Sequence, residues 1–308
     1  MNVSNSNLKL DYQSLFALAA VVHEGSFERA ARALHVTPSA VSQRIRALEE
    51  RMGCAVVTRG QPCEATEAGR WLCQHVDRVR LLEQELYGAI PALRQDTSER
   101  VKVPVAVNAD SLATWFVPAA VALSAKAAVL VQLSIDDEVH TADWLRSGAV
   151  LAAVTAVAEP AAGCNSQPLG AMRYVAAASP AFIAQHFADG LSAEALRAAP
   201  SLRFNTKDQL QERWVQQRLG TQLELPHHTL PSSHAFVAAS LGGMGWAMHP
   251  RSLIQEHLKS GQLRELVRNT PLDVPLYWQQ ARMASALLKE LSQAVFQAAK
   301  AGLRQFQG

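Results

Sequence analysis

Residues 26–53 read SFERAARALHVTPSAVSQRIRALEERMG, and this stretch has the pattern of two short helices joined by a tight turn. The first helix has apolar residues at the i, i+3, i+4, i+7 spacing of one helical side, namely Phe27, Ala30, Ala31 and Leu34. The second begins at Pro38 behind Thr37, a good N-cap residue, and runs to about Glu50. Its inward face consists of Val41, Ile45 and Leu48. The stretch therefore predicts a helix-turn-helix.

The outward face of the second helix is polar and basic. Its residue types hydrogen bond to phosphates and base edges, and the N-terminal part of such a helix enters the major groove, which favours Ser39, Ser42 and Gln43. A merely solvated helix would show the same pattern. The local charge favours DNA, because residues 27–60 hold six arginines against three glutamates, a net +3. The expected DNA contacts are Arg29, Arg32, Thr37, Ser39, Ser42, Gln43, Arg44, Arg46 and Arg59.

The run AARALHVTPSAVSQRIRALE, followed by Gly53 and later by TEAG at residues 66–69, resembles the DNA-binding end of the LysR-type transcriptional regulators. The motif is long and highly specific. The resemblance implies a wing between Arg59 and Thr66, and the turn residues RGQP at 59–62 fit a wing. The phenylalanine usual in that family before the wing is absent, since VVT stands at residues 56–58.

The composition limits what else the chain can be. It has 308 residues, 49% hydrophobic and 18% charged, which indicates a soluble globular protein of two or three domains. Its net charge is only +2, so any nucleic-acid site must be local. We expect no secretory signal, no membrane span and a cytoplasmic location. No C-x-x-C spacing occurs, so reduced thiols are expected, with redox sensing as the alternative, at Cys54, Cys63, Cys73 and Cys164.

A long helix is predicted from Glu67 to about Leu93. Its apolar residues recur at threes and fours, close to the 3.5-residue repeat of a helix-pairing seam. A homodimer, or a homotetramer, would place two recognition helices in successive major grooves about 34 Å apart. The residues expected to pair are Leu72, Val76, Val79, Leu82, Leu86 and Leu93.

Four regions follow from these patterns. Residues 1–66 form the winged helix-turn-helix, 67–93 the dimerisation helix, 94–100 a polar hinge and 101–308 an effector-binding domain. In that last region strands alternate with helices, which predicts an α/β fold with parallel strands. Lobe I is expected at about residues 101–170 and 272–304, and lobe II at about 171–271. Two lobes joined by crossing strands resemble the periplasmic-binding-protein fold, which is also the effector domain of LysR-type regulators.

A ligand is expected outside the carboxyl ends of the strands. In lobe I the first such edge reads NADS at residues 108–111, where a helix N-terminus attracts a carboxylate. The next ends in DDE at residues 136–138. In lobe II the edges read FNT at residues 204–206 and PSSH at 231–234. Hydroxyls and N–H groups opposite acids suit a basic amino acid.

The segments NADSLATWF, DDE, SSxAF and LYW resemble the lysine- and arginine-responsive subgroup, the ArgP and LysG regulators. The resemblance implies that the acids at 136–138 attract the effector's cationic end. It places His234 where that subgroup has glutamate, which weakens a cation site. Helix capping, a solvated loop or core packing would also explain these residues. The expected effector contacts are Asn108, Asp110, Ser111, Thr114, Trp115, Asp136, Asp137, Glu138, Asn205, Ser232, Ser233 and His234.

The resulting hypothesis is a DNA-binding regulator that senses lysine or arginine and controls amino-acid export or metabolism genes. Its partners would be double-stranded operator DNA, RNA polymerase, a second copy of itself and the effector. The alternatives are a regulator that answers to a different amino acid or a small organic acid, and a solute-binding protein. An enzyme is not expected, because G-x-S-x-G, H-E-x-x-H and metal-spaced Cys/His groups are absent from the sequence, and no cofactor or metal is implied.

Overall fold

The computed structural model describes residues 10–90, 101–126, 129–136, 144–145, 149–282 and 285–306. The chain divides into two compact units. The first comprises Met1–Lys102 with Ser147–Ala149, and the second comprises Val103–Arg146 with Val150–Gly308.

Three capped helices open the first unit: α1 (Tyr12–Glu24), α2 (Phe27–Ala33) and α3 (Pro38–Met52). Asp11, Ser26 and Thr37 cap their N-termini through side-chain oxygens, which explains why each helix starts where it does. The inward apolar residues form one buried core, which includes Leu15, Leu18, Val21, Ala30, Ala31, Val41, Ile45 and Leu48. The predicted helix-turn-helix is therefore confirmed.

A two-stranded wing follows. Strands β1 (Val57–Thr58) and β2 (Glu64–Ala65) pair antiparallel, and helix α4 (Glu67–Ala89) begins directly after β2. The backbone N–H of Val56 donates to Glu49 Oε1 over 2.9 Å and so fixes the wing to the end of α3. The helix was predicted to reach Leu93, but its described part ends at Ala89. Leu93 and the predicted hinge at 94–100 lie outside the described residues.

In the second unit, β3 (Val101–Asn108) leads into helix α5, which runs through Ala109–Ser111, a π-helical turn at Leu112–Phe116, and Val117–Lys126. Strands β4 (Val129–Asp136), β5 (Ala152–Thr155) and β6 (Cys164–Ala178) follow. A short helix that the sequence TADWLR predicts at residues 141–146 lies mostly outside the described residues. The remaining elements are α6 (Pro180–His186), α7 (Ala193–Ala198), β7 (Ser201–Arg203), α8 (Leu210–Leu219), β8 (His227–Thr229), α9 (Ser233–Leu241), β9 (Ala247–Pro250), α10 (Arg251–Ser260), β10 (Arg264–Glu265), β11 (Leu272–Ala281) and α11 (Ala286–Gly302).

Two long strands tie the lobes together. β6 and β11 pair antiparallel over nearly their full length, and the order β10-β6-β11-β5-β3-β4 runs across the sheet, with β9 also paired to β6. The prediction of parallel strands is right for β3 with β5 and for β7 with β8. The centre of the sheet is antiparallel, because β11, one of the two crossing strands, returns between β5 and β6. The sheet is mixed, and lobe I and lobe II share it.

Within the described residues, no helix is both long and apolar enough to cross a membrane.

Candidate nucleic-acid interface and effector cleft

The outward face of α3 lies open to solvent. Ser39, Ser42, Gln43 and Arg46 are exposed, whereas the inward residues of the same helix are buried. Thr37 is exposed as well, but its Oγ1 accepts a hydrogen bond from the Ala40 N–H over 3.2 Å. The hydroxyl of Thr37 therefore caps the helix, and Ser39, Ser42 and Gln43 are the side chains that can reach a base edge from its first turns.

The arginines predicted to contact DNA differ in how they are held. Arg29 donates from Nε to the Glu24 carbonyl over 2.7 Å. The half-buried Arg44 donates to Gln13 Oε1 over 3.2 Å, so it also links α3 to α1. Arg32 and Arg46 are exposed.

In the wing, the guanidinium of Arg59 lies 5.6 Å from the centre of the Phe27 ring, a cation–π contact that orients the wing residue against α2. The same region approaches the end of α1, since the N–H of Cys63 donates to the Gly25 carbonyl over 2.9 Å. A side chain at Gly25 would meet Pro62 Cβ at 2.9 Å. The wing thus rests on the start of α2 and the end of α1.

Helix α4 divides its apolar residues between two faces. Leu72 is 8% and Val76 0% exposed, and both belong to the core of the helix-turn-helix. Because α1 packs against this part of α4, Leu72 and Val76 leave little surface for pairing with a second copy. Leu82 and Leu86 are 47% and 49% exposed, and Val79 is half-buried. Trp71 and Ile90, which the sequence analysis did not single out, are also exposed.

The predicted effector residues of lobe I lie at the junction of β3 and α5, and part of the group is engaged in packing. Ser111 and Trp115 are buried, and Trp115 Nε1 donates to Ser111 Oγ over 3.0 Å. Thr114 Oγ1 donates to the Asp110 carbonyl over 2.6 Å, inside the π-helical turn. Such turns often occur at functional sites. Here the turn leaves Asn108 and Asp110 as the polar side chains that can act on a ligand.

Asp110 joins lobe I to residues beyond it. Its Oδ2 accepts a hydrogen bond of 2.8 Å from the hydroxyl of Tyr174, in the crossing strand β6. The Ser233 hydroxyl, from lobe II, also lies near this carboxyl, although the pair does not reach full hydrogen-bond geometry. Loss of solvent raises the pKa of Asp110, the contacts with Ser233 and Tyr174 lower it, and the negative charge of Asp208 raises it again.

The predicted lobe II residues serve mainly their own turns. Asn205 Oδ1 accepts hydrogen bonds from the N–H groups of Lys207 and Asp208, over 2.8 and 3.1 Å. Ser232 caps α9 by accepting from the Ala235 N–H over 3.3 Å. His234 is exposed in the first turn of α9. Asn205 and Ser232 thus shape the edges of lobe II, while the buried Ser233 faces Asp110.

The predicted edge DDE, at residues 136–138, lies almost wholly outside the described residues. Asp136 is the last residue of β4, and its side chain lies outside the description, as do Asp137 and Glu138 altogether. Two residues near Asp110 were missed by the sequence analysis, namely Tyr174 and Asp208. Neither follows a strand end in a recognisable motif, since Tyr174 lies inside β6 and Asp208 comes four residues after its strand edge. Their nearness to Asp110 depends on long-range folding.

Comparison with known proteins gives a consistent result over both units. Residues 12–70 match the family described as bacterial regulatory helix-turn-helix protein, lysR family, and residues 98–300 match the LysR substrate binding domain. The HTH-type transcriptional regulator ArgP of Pseudomonas fluorescens (strain Pf0-1) is 44% identical over 284 residues, covering 92% of this chain and 95% of the relative.

Two solved structures are similar over nearly the whole chain. The crystal structure of ArgP from Mycobacterium tuberculosis is 40% identical with a TM-score of 0.82, and covers 97% of this chain and 100% of its own. Full-length LysG from Corynebacterium glutamicum with bound effector Arg is 38% identical with a TM-score of 0.72, and covers 96% and 100%.

Proposed function

The chain belongs to the LysR family of bacterial transcriptional regulators, and on that premise we propose that it reads operator DNA through α3 and answers to lysine or arginine. The observation that carries the proposal is the two-sided character of α3. Ser39, Ser42 and Gln43 are exposed, whereas Val41 and Ile45 are buried beneath them. This leaves a rigid helix with hydrogen-bonding side chains on the face that a major groove would meet.

Pairing of two copies would let two α3 helices contact the same duplex. The exposed Leu82 and Leu86 of α4 offer apolar surface to the same helix of a second copy. Paired α4 helices would hold two copies of α3 at the spacing of successive major grooves, about 34 Å. The basic side chains of Arg32, Arg46 and Arg59 would then contact phosphates and supply the salt-sensitive part of the affinity.

The effector is expected between the lobes of the second unit. A relative of 38% identity is described with bound arginine, and in this chain the carboxyl of Asp110 lies where lobe I meets Tyr174 and Ser233. Binding changes transcription only if the effector prefers one arrangement of the lobes to another. The regulator would act in the cytoplasm, alter how dimers sit on DNA and how RNA polymerase is recruited or held, and control genes of amino-acid export or metabolism.

A mobility-shift titration of the full-length protein on the DNA adjacent to its gene tests this function. We expect duplex binding that weakens with rising salt, because phosphate contacts release counterions from the DNA and this release is less favourable at higher salt. Lysine or arginine should change the affinity or the pattern of shifted bands, and neutral or acidic amino acids should not. Absence of salt-sensitive binding to any duplex contradicts the proposed DNA contact. A response to another amino acid or to a small organic acid supports the alternative effector class.

A further inference from the structure

A group of hydrogen-bond acceptors meets where lobe I and lobe II approach each other. Asn108, the last residue of β3, is 2% exposed, and its Oδ1 makes no hydrogen bond within the described part of the chain. Two residues further on, the carboxyl of Asp110 faces Tyr174 and Ser233. A buried acceptor without a donor is costly. The unpaired Asn108 oxygen therefore points to a donor that a ligand supplies.

Lobe II adds a fixed negative charge to this group. Asp208 is buried, and its two oxygens accept hydrogen bonds from the N–H groups of Phe204 and Leu210, over 2.9 and 3.0 Å. These bonds hold the carboxyl of Asp208 in place. Its negative charge is the smallest of the four influences on the pKa of Asp110, and it raises that pKa. The two carboxyls come from different lobes, and nothing cationic from the chain is hydrogen-bonded to either of them among the described residues.

The chemistry of the group selects the ligand atoms. Acceptors and negative charge favour an ammonium or a guanidinium, which carry only donors. The α-ammonium of an amino acid brings its carboxylate two bonds away, close to Asp110 and Asp208, where it would be repelled. A side-chain ammonium or guanidinium lies several bonds from that carboxylate and avoids the repulsion.

We propose that Asp110, with Asn108 beside it and Asp208 opposite, forms the subsite for the side-chain cation of the effector. This inference rests on the proposed function, namely that the effector is a basic amino acid. It moves the cationic end from the edge at residues 136–138, where the sequence pattern had placed it, to the junction of β3 and α5. It also gives lobe closure a cause, because a cation between the two carboxyls offsets their repulsion only when both lobes contact it.

Titration calorimetry of the full-length protein with three ligands tests the subsite. Arginine is the complete effector, and citrulline has nearly the same shape without the side-chain charge. Agmatine keeps the guanidinium but lacks the carboxylate. The wild-type protein should bind arginine at least about tenfold more tightly than citrulline. The variant Asp110→Asn should lose that preference, with arginine weakened toward citrulline and citrulline itself little changed. Asp189→Asn, an exposed acid of lobe II, is the matched control and should keep the wild-type preference.

The outcomes separate this inference from the proposed function. If the wild-type protein binds neither lysine nor arginine, the proposed effector is wrong. If it binds arginine and the Asp110→Asn variant keeps the full preference over citrulline, the subsite is wrong. Loss of the preference in Asp136→Asn but not in Asp110→Asn would assign the cation to the other edge. Circular dichroism and thermal unfolding of each variant show whether it is folded. Should Asp110→Asn fail to fold, equal wild-type affinities for arginine and citrulline would still contradict the subsite.

Discussion

Gln43 is the side chain of α3 best placed to read a base. It is exposed on the outward face, two residues from the buried Val41 and Ile45, and glutamine pairs bidentately with adenine. We expect Gln43→Ala to reduce discrimination between operator and scrambled duplex by about 1–3 kcal/mol. Folding should be unaffected, because the side chain contributes nothing to the core. Competition mobility shifts measure the discrimination, and circular dichroism measures the fold.

The control for Gln43→Ala is Gln222→Ala, which removes an exposed glutamine from the second unit and should leave the discrimination unchanged. An unchanged operator footprint with Gln43→Ala would exclude Gln43 as a base reader and leave Ser39 and Ser42 as the remaining candidates in the first turns. A uniform loss of affinity for every duplex would assign Gln43 to a phosphate contact.

Single residues show where sequence patterns are ambiguous. Ser111 and Ser232 are both serines at a strand-to-helix edge, yet Ser111 accepts from Trp115 and Ser232 caps α9. The sequence could indicate the edge but could not choose between a cap and a ligand contact. Tyr174 and Asp208, by contrast, could not be found from any local pattern. They come near Asp110 from positions about 60 and 100 residues away in the chain, so local patterns hold no information about them.

Gly69 is a residue whose identity the backbone dictates. A Cβ at this position would lie 1.9 Å from the carbonyl oxygen of Val56, which accepts a hydrogen bond from the Thr66 N–H over 3.1 Å. The start of α4 therefore presses directly on the strand that opens the wing. The resemblance of the TEAG segment to its family marked this glycine, but only the structure gives the reason.

At the scale of elements, local signals predicted the helices well and the long strands poorly. Each helix of the first unit has an N-cap oxygen that the sequence displays. Strand β6 extends over 15 residues, whereas the sequence predicts a strand only over the last five, YVAAA at residues 174–178. Its first half contains Pro168 and Gly170, which interrupt a strand pattern. In the pairing of β6 with β11, the register shifts between Leu276 and Tyr277, opposite Gly170 and Pro168, and the strand continues through both residues.

The apolar repeat of helix α4 predicts a helix but does not predict what packs against it. Its leucines and valines follow one repeat, and the repeat alone cannot tell which partner covers each of them. The first two turns pack into the helix-turn-helix, because α1 lies against them, and only the later turns leave Leu82 and Leu86 open. We therefore expect a second copy to pair with the C-terminal half of α4.

We expect Leu86→Glu to convert the dimer to monomer at micromolar concentrations. A leucine side chain buried in an interface contributes about 1.5–3 kcal/mol, and a two-fold interface contains it twice. The charge adds repulsion between the two copies. Sedimentation velocity measures the change, and Met244→Glu, which places the same charge on another exposed apolar residue, should remain dimeric. A Leu86→Glu protein that still sediments as a dimer would place the pairing face elsewhere.

At the scale of the whole molecule, the helix-turn-helix pattern predicted the DNA-binding end, and the resemblance to LysR-type regulators implied the two-lobed effector domain. They could not reveal which ionisable groups the fold would bury. His249 in β9 is such a group. It is 0% exposed, shares a hydrogen bond of 3.0 Å with Ser240 through Nε2, and lies near the ring of Phe236. Burial, and then the nearby charge of His257, lower the pKa of His249 from 6.5 to about 3.

Because of this buried histidine, we expect the second unit to lose stability in acid. In the unfolded chain His249 takes up a proton below pH 6.5, but in the folded chain it does so only near pH 3. The stability that depends on its neutral form is therefore complete above pH 6.5 and is lost as the pH falls toward 3. The full loss is on the order of 5 kcal/mol. Asp110 works in the opposite direction, because its raised pKa lets the folded state bind a proton first.

The variant His249→Gln isolates this effect, because glutamine can keep a hydrogen bond to Ser240 but does not titrate. We expect urea unfolding of the wild-type protein, followed by the fluorescence of the buried Trp214 and Trp246, to shift to lower urea between pH 7 and pH 4. His249→Gln should be less stable at pH 7 and show a smaller shift. The exposed His228→Gln should behave as the wild type. An equal shift in His249→Gln and wild type would mean that other groups control the acid sensitivity.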